Sequence, residues 1–354
     1  KSFIKEVGDG KSEGGRRPRL LSINNELGFL VGVDIGATSV DLALADVCGH
    51  VFQRRSEAAD VSNPPDVLLG RVSQMIHEMV QAQQIDPGKI YGLGVGVPGP
   101  VEFSRGTLVA PPLMPDWDNF SVRRYFEAAF PSAFVMVDND VNIMALGEFY
   151  TSGKINPDNF IFVKIGTGIG AGIVSNGKIH RGDTGCAGDI GHICVDKIGP
   201  VCRCGNKGCL ESISGGRAIA ERAMAAAMNN ESPILARHMA ENGGILRAED
   251  VGMAQREGDR IAAEIIQYSG KMIGEGLAGL VNFFNPSHII LGGGVTGLGN
   301  QFLANIRQAV LRRSTPLATR HLIIEYSRMG TEAGITGAIS LLLEYLFYVS
   351  DDMP

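Results

Sequence analysis

The sequence predicts an α/β protein built from two homologous lobes facing each other across a cleft. Strands and helices alternate along most of the chain, the pattern of layered α/β domains. An apolar strand running into a glycine turn occurs twice, as FLVGVDIGAT from Phe29 and as FIFVKIGTG from Phe160. Glycine, at 47 of 354 residues, is nearly double its usual share of roughly 7%, and the excess gathers where apolar runs end. Composition agrees: 44% hydrophobic and 20% charged residues can fill a large interior. That excludes wholesale disorder and fibrous repeats, and the length suits two lobes better than one core.

Taken in order, SFIKEV reads as a strand, GDGKSEGGRRPRL as a basic, glycine-rich tip, and LLSIN as a second strand. Two strands around such a tip make a hairpin, expected to be the wing of a winged-helix DNA-binding module whose helices lie outside this chain; a disordered tail is the alternative. The repeat aligns Gly36 with Gly166. After each turn a strand resumes (SVDLALADV, AGIVS), meets a tight turn (CGH, NGK) and enters another strand. Helical periodicity fits 67–84, a buried strand at 90–97 ends in VPGPV, and a strand at 133–137 meets DNDVN before a helix over 141–150. Beyond residue 210 helices are expected over 216–229, 248–282, 300–311 and 333–348, with one strand, 288–291, running into GGG.

Charge narrows the partners. Lys and Arg number 32 against 38 Asp and Glu, a net −6, yet residues 1–19 hold six basic and three acidic side chains. An acidic body does not attract nucleic acid, whereas a short basic arm carrying Arg16, Arg17 and Arg19 does. No apolar run reaches the ~18 residues of a membrane span, and no signal peptide opens the chain, so a cytoplasmic protein with no membrane partner is expected.

Several strings can carry chemistry. Asp34-Ile35-Gly36-Ala37-Thr38 follows an apolar strand: glycine permits close approach to a phosphate, Asp34 suits a hydrated Mg²⁺, and Thr38 can donate to phosphate oxygen. An ordinary hairpin turn is the competing reading. Gly166-Thr167-Gly168-Ile169-Gly170 forms a second such turn, and Gly292-Gly293-Gly294 ends a buried strand where open α/β sheets bind ligands. Three glycine clusters at strand ends favour a nucleotide cleft. Asp138-Asn139-Asp140-Val141-Asn142 reads equally as a helix N-cap cluster or as a site in which Asp140 is a general base for phosphoryl transfer, with Asn139 bonding a neighbouring hydroxyl.

His192 precedes Cys202, Cys204 and Cys209 within GHICVDKIGPVCRCGNKGCLE. One imidazole and three thiolates supply the four ligands of a tetrahedral structural zinc, and Gly205 and Gly208 allow the turns between them. Three neighbouring cysteines leave one over if two pair, which disfavours a disulfide. Cys48, Cys186 and Cys194 are expected as small apolar fillers. The remaining histidines show no ligand spacing. Trp117 is expected to be a packing residue.

With these strings assembled, the chain resembles the ROK family (repressors, open reading frames and sugar kinases). VDIGATS, GVPGPV, VDNDVN, IGTGIGAGI, GCAGDIGH, CRCGNKGCLE and NPSHIILGGGV carry the resemblance. It implies an actin-like ATPase fold with sugar bound between two lobes, here 28–138 plus 331–354 and 139–330, after a wing remnant at 1–27. It also implies Asp140 as catalytic base, Asn139 and Glu211 as sugar ligands, and His192 serving zinc and sugar together. Asp34, Gly36 and Thr38 match the first phosphate turn and Gly166 to Gly170 the second. Asp189 stands where the family usually has a sugar-binding Glu, one methylene longer. The segment before Phe29 resembles the end of the winged helix of the family's regulators. The resemblance therefore implies a regulator responsive to a hexose or N-acetylhexosamine, forming dimers or tetramers, with an ATP- and Mg²⁺-dependent sugar kinase as the alternative.

Overall fold

The computed structural model describes residues 4–11, 17–151 and 158–347. They fall into two units, one comprising residues up to Tyr150 together with those from Glu332 onward, the other Thr151–Thr331.

Each unit is organised around a five-stranded sheet. In the first the order is Val51–Ala58, Ser39–Asp46, Phe29–Ile35, Ile90–Val97, Phe134–Asn139. In the second it is Lys178–Ile179, Ile169–Ser175, Phe160–Ile165, His288–Gly292, Ile323–Tyr326. Both run as a three-strand antiparallel meander followed by two parallel strands, so the duplication is real at the level of topology. The central strands are apolar along their length because both faces are covered, as Leu30, Val31, Val33, Ile35, Ile161, Phe162 and Val163 are all buried.

In the first unit the helix Glu332–Phe347 packs on Phe29–Ile35 and Ile90–Val97. Gly337 brings it against the helix Asp140–Thr151: a Cβ there would lie 1.6 Å from the Ile143 carbonyl oxygen. That backbone-close contact ties Asp140–Thr151 to the first unit, so the division falls after Tyr150 and not at 138/139 as the sequence suggested. Ile4–Asp9 and Arg19–Ile23 pair antiparallel, Ile4 opposite Ile23 and Asp9 opposite Arg19, with a bulge between Glu6 and Gly8. Ile4, Val7, Leu20 and Leu21 are exposed on this ribbon.

In the second unit the long helix expected over 248–282 is two, Ala248–Arg256 and Arg260–Phe284. Gly258 at φ +91° breaks the backbone, and Asp259 caps the next helix by accepting from the Ala262 amide at 2.7 Å. Among the described residues, the elements that went unforeseen include Val122–Ala129, Pro233–Glu241 and the edge strand Ile323–Tyr326.

Candidate functional site

In the first unit, the strand Phe29–Ile35 delivers Asp34 to its C-terminal end, and the turn closes with the Gly36 amide donating to the Ser39 carbonyl at 2.8 Å. Asp34 is buried against the first turn of Glu332–Phe347, where a Cβ on Gly334 would fall 1.8 Å from Asp34 Oδ2. A carboxylate at that end faces the positive pole of the helix. Thr38 is exposed at the turn.

Asn139 caps the helix Asp140–Thr151. Its Oδ1 accepts from the Val141 and Asn142 amides at 2.9 and 3.4 Å, and its Nδ2 donates to the Gly99 carbonyl at 2.9 Å. Both ends of the amide are engaged, leaving one N–H for another partner. The N-cap reading is thus realised, and it places the buried Asp140 in the helix's first turn. Asn142, the last residue of the string that begins at Asp138, is buried, and its Nδ2 donates to Asp138 Oδ1 at 2.9 Å.

In the second unit, parallel pairing of Lys164 with Gly292 sets the turns after Ile165 and after Gly292 side by side. Gly293, at φ +91°, lies so close that a Cβ would meet the Ile165 carbonyl at 2.5 Å. Gly294 opens a short 3-10 turn behind it. The Gly166 carbonyl accepts from the Gly216 amide at 2.7 Å, which brings the N-terminus of the helix Gly216–Met228 to the same place. The Gly166 amide is closed onto Gly168 at 2.9 Å, with Thr167 at the tip and Gly170 already in the next strand, opposite Lys164. Glu211 braces this turn: its Oε2 accepts from the Ile169 amide at 3.0 Å, and Gly168 leaves the room, since a Cβ there would lie 2.4 Å from that oxygen.

Two residues before Glu211, Cys209 joins His192, Cys202 and Cys204 in a cluster whose donor atoms all lie within 4.8 Å of one another. His192 Nδ1 is 3.6 Å from Cys202 Sγ, and Cys204 Sγ is 3.7 Å from Cys209 Sγ. A tetrahedral Zn²⁺ with Zn–S of ~2.3 Å and Zn–N of ~2.1 Å requires edges of roughly 3.6 and 3.8 Å, so the donor set fits. Gly208, at φ +70°, makes the last turn possible; a Cβ there would overlap the Asp196 carbonyl at 1.5 Å. Without a cation, burial pushes the Cys209 thiol up to about 12 and raises Cys202. Burial also pushes on Cys204, but hydrogen bonds, led by the Asn206 amide, bring it below its ordinary value. Asp189 Oδ1 stands 3.7 Å from His192 Nε2, behind the ring nitrogen that faces away from the thiols.

The remaining expectations sort as follows. Arg16 lies outside the described residues; Arg17 is exposed, and Arg19 pairs with Glu6 at 2.5 Å across the hairpin. Cys186 and Cys194 are exposed, not apolar filling, because both lie outside the helices and main sheets, while Cys48 is half-buried. Trp117 is fully buried, as expected. A second cluster, Asp46, Cys48 and His50, went unnoticed in sequence. Its carboxylate serves the turn, accepting from the Cys48 and His50 amides at 2.8 and 3.0 Å. Burial pushes the Asp46 carboxyl up, but the donors from His50 and Cys48 more than offset this and hold it below the usual range. Among the described residues no helix is long and apolar enough to cross a membrane.

Two duplicated sheets with glycine turns at their strand ends and a Cys/His cluster define the class shared by ROK kinases and regulators, and the fold is the actin-like ATPase fold. The family match covers residues 30–345: this chain belongs to the ROK family. It is 32% identical to a xylose repressor of Caldicellulosiruptor bescii, over 96% of this chain and 84% of that protein. A solved ROK family transcriptional regulator, a homologue of the E. coli MLC protein, superposes with a TM-score of 0.80 at 28% identity, covering 96% of this chain and 85% of the other. A ROK family glucokinase from Streptomyces griseus, solved with glucose and AMPPNP, gives 0.76 at 29% identity, covering 89% of this chain and 99% of its own.

Proposed function

We propose that the protein is a transcriptional regulator whose DNA affinity is set by a bound sugar. The hairpin Ile4–Ile23 carries this reading. It precedes the family match, which begins at residue 30. A similarity spanning 96% of the chain, as with the xylose repressor and the solved regulator, must reach at least its second strand. The glucokinase similarity leaves out about a tenth of the chain. A two-stranded ribbon with four exposed apolar side chains is marginal alone and suits the wing of a winged helix, with Arg16, Arg17 and Arg19 toward phosphates. Arg19 is placed to contribute less than Arg17, since Glu6 already pairs with it.

The proposed effector is a sugar, with xylose first because of the repressor relatives and glucose second. That moves the expected class from hexoses toward a pentose, on the names of the repressor relatives alone. The proposed sugar contacts are Asn139, Asp140, Asp189, His192 and Glu211. Sugar must bind the DNA-competent and DNA-incompetent arrangements unequally, or it shifts nothing. Zn²⁺ on His192, Cys202, Cys204 and Cys209 would be structural, fixing Cys209 and through it Glu211. Sugar kinase activity is the second reading, favoured by the convergence of the Gly166, Gly216 and Gly293 backbones. Asp140 would then accept the hydroxyl proton, and Asp34, Gly36 and Thr38 would serve ATP and Mg²⁺. Calorimetric titration of xylose and glucose, run beside a coupled ATP-consumption assay, separates the readings. Saturable binding without turnover supports the regulator; turnover lost in Asp140→Asn supports the kinase; neither binding nor turnover refutes both.

A further inference from the structure

We propose a second ligand site, for a phosphate-bearing anion, in the groove between the helices Arg260–Phe284 and Asn300–Arg313. The two helices approach closely, for a Cβ on Gly274 would lie 2.5 Å from the Ile306 carbonyl and one on Gly270 2.8 Å from Asn305 Cβ. Beside that seam opens a cavity of about 710 Å³ whose walls include Lys271, Glu275, Asn305, Arg312 and Arg313. Its volume falls in the range of small-molecule sites.

Charge and hydrogen bonding select the ligand. Glu275 pairs with Arg313 at 3.4 Å, so it offsets one cation. Lys271 and Arg312 have no carboxylate within ion-pair reach among the described residues, although the chain as a whole is acidic. Asn305 is 8% exposed; its Oδ1 accepts from Gln301 at 3.2 Å, while its Nδ2 donates to nothing among the described residues. A buried N–H without an acceptor costs about 1–3 kcal/mol, and a rotation of the amide toward the groove would let an anionic oxygen satisfy it. Two uncompensated cations and a buried amide donor together match a phosphate group, which accepts several charge-assisted hydrogen bonds at once. The site is separate from the glycine turns: Arg312 lies about 18 Å along its helix from Asn300, the residue nearest the Gly292–Gly294 end. It is independent of the sugar and DNA reading.

Pyrophosphate is the probe, titrated calorimetrically into the full-length protein and into Lys271→Gln, Arg312→Gln and Asn305→Asp. Both cations are exposed, so the first two variants should melt as the wild type does. The expected result is saturable binding weakened about tenfold by each cation's removal, and at least as much by the carboxylate at 305. Titration curves for Lys271→Gln and Arg312→Gln that superimpose on the wild type would place the anion elsewhere, on the glycine turns, and overturn the proposal. Absence of saturable binding up to about 10 mM would overturn it equally.

Discussion

Replacing Gly334 by alanine tests the packing that positions Asp34. The added Cβ would lie 1.8 Å from Asp34 Oδ2 and 2.4 Å from its Cγ, so carboxylate or helix must yield by about 1.5 Å to reach ordinary contact. Asp34 is 8% exposed, which leaves it little room. Overpacking of this kind costs about 1–3 kcal/mol, and moving the carboxylate off the helix terminus loses about 0.3–1 kcal/mol more. Alanine's better helix propensity returns about 0.5–1 kcal/mol. The net loss is about 2 kcal/mol. Urea unfolding followed by tryptophan fluorescence reads it cleanly, because Trp117 is the one tryptophan, is fully buried in the first unit, and donates to the Asn63 carbonyl at 3.0 Å. A chain of two units need not unfold in one step, and this probe follows only the unit that holds Asp34. For a slope near 2 kcal/mol/M the midpoint should fall by about 1 M, and Asp34→Ala in the same chain should restore part of the loss by removing the clashing atoms. A midpoint within about 0.2 M of wild type, or strict additivity of the two substitutions, would refute the reasoning.

Asn139→Ala should lower the same midpoint by about 0.5 M, the loss of one N-cap of about 1 kcal/mol, whereas Asn139→Asp, which keeps an acceptor, should lower it less. Cys209→Ser should take metal content in freshly purified protein from about one equivalent to near zero, while Cys194→Ser leaves it unchanged. Glu211→Ala removes the acceptor for the Ile169 amide, and hydrogen exchange at that amide should speed up about tenfold, in line with a charge-assisted bond of about 1.5 kcal/mol. Because the Asp46 carboxyl titrates below its ordinary value in the folded state, its contribution is present above the unfolded pKa and disappears as pH falls through the folded one. Asp46→Asn should therefore be less stable than wild type at pH ~6, with the Trp117 midpoints converging below pH ~4.

Most sheet strands and helices were readable because their periodicity is carried by apolar residues that are in fact buried, and the strand Ile90–Val97 fell where its pattern placed it. The cluster was readable too: His192 and three closely spaced cysteines state their chemistry in one loop. The helix break at Gly258 was missed because apolar periodicity runs across it, although Gly-Asp is itself a stop followed by a cap. Pro233–Glu241 was announced only by Ser232-Pro233, which doubles as a turn signal. Glu211's grip on the Ile169 amide joins residues 42 apart, and no local pattern encodes such a pair. The same holds for Gly334 and Asp34, which meet only because the last helix returns to the first sheet.

The most direct trial of the regulator reading is fluorescence anisotropy of the full-length protein on DNA from upstream of its own gene, titrated with xylose and then glucose. The account predicts tight binding without sugar and a saturable release as one of the two is added, with the release lost in Asp140→Asn. Anisotropy that stays unchanged across both titrations, while ATP is consumed in the presence of sugar, would contradict it and leave a kinase.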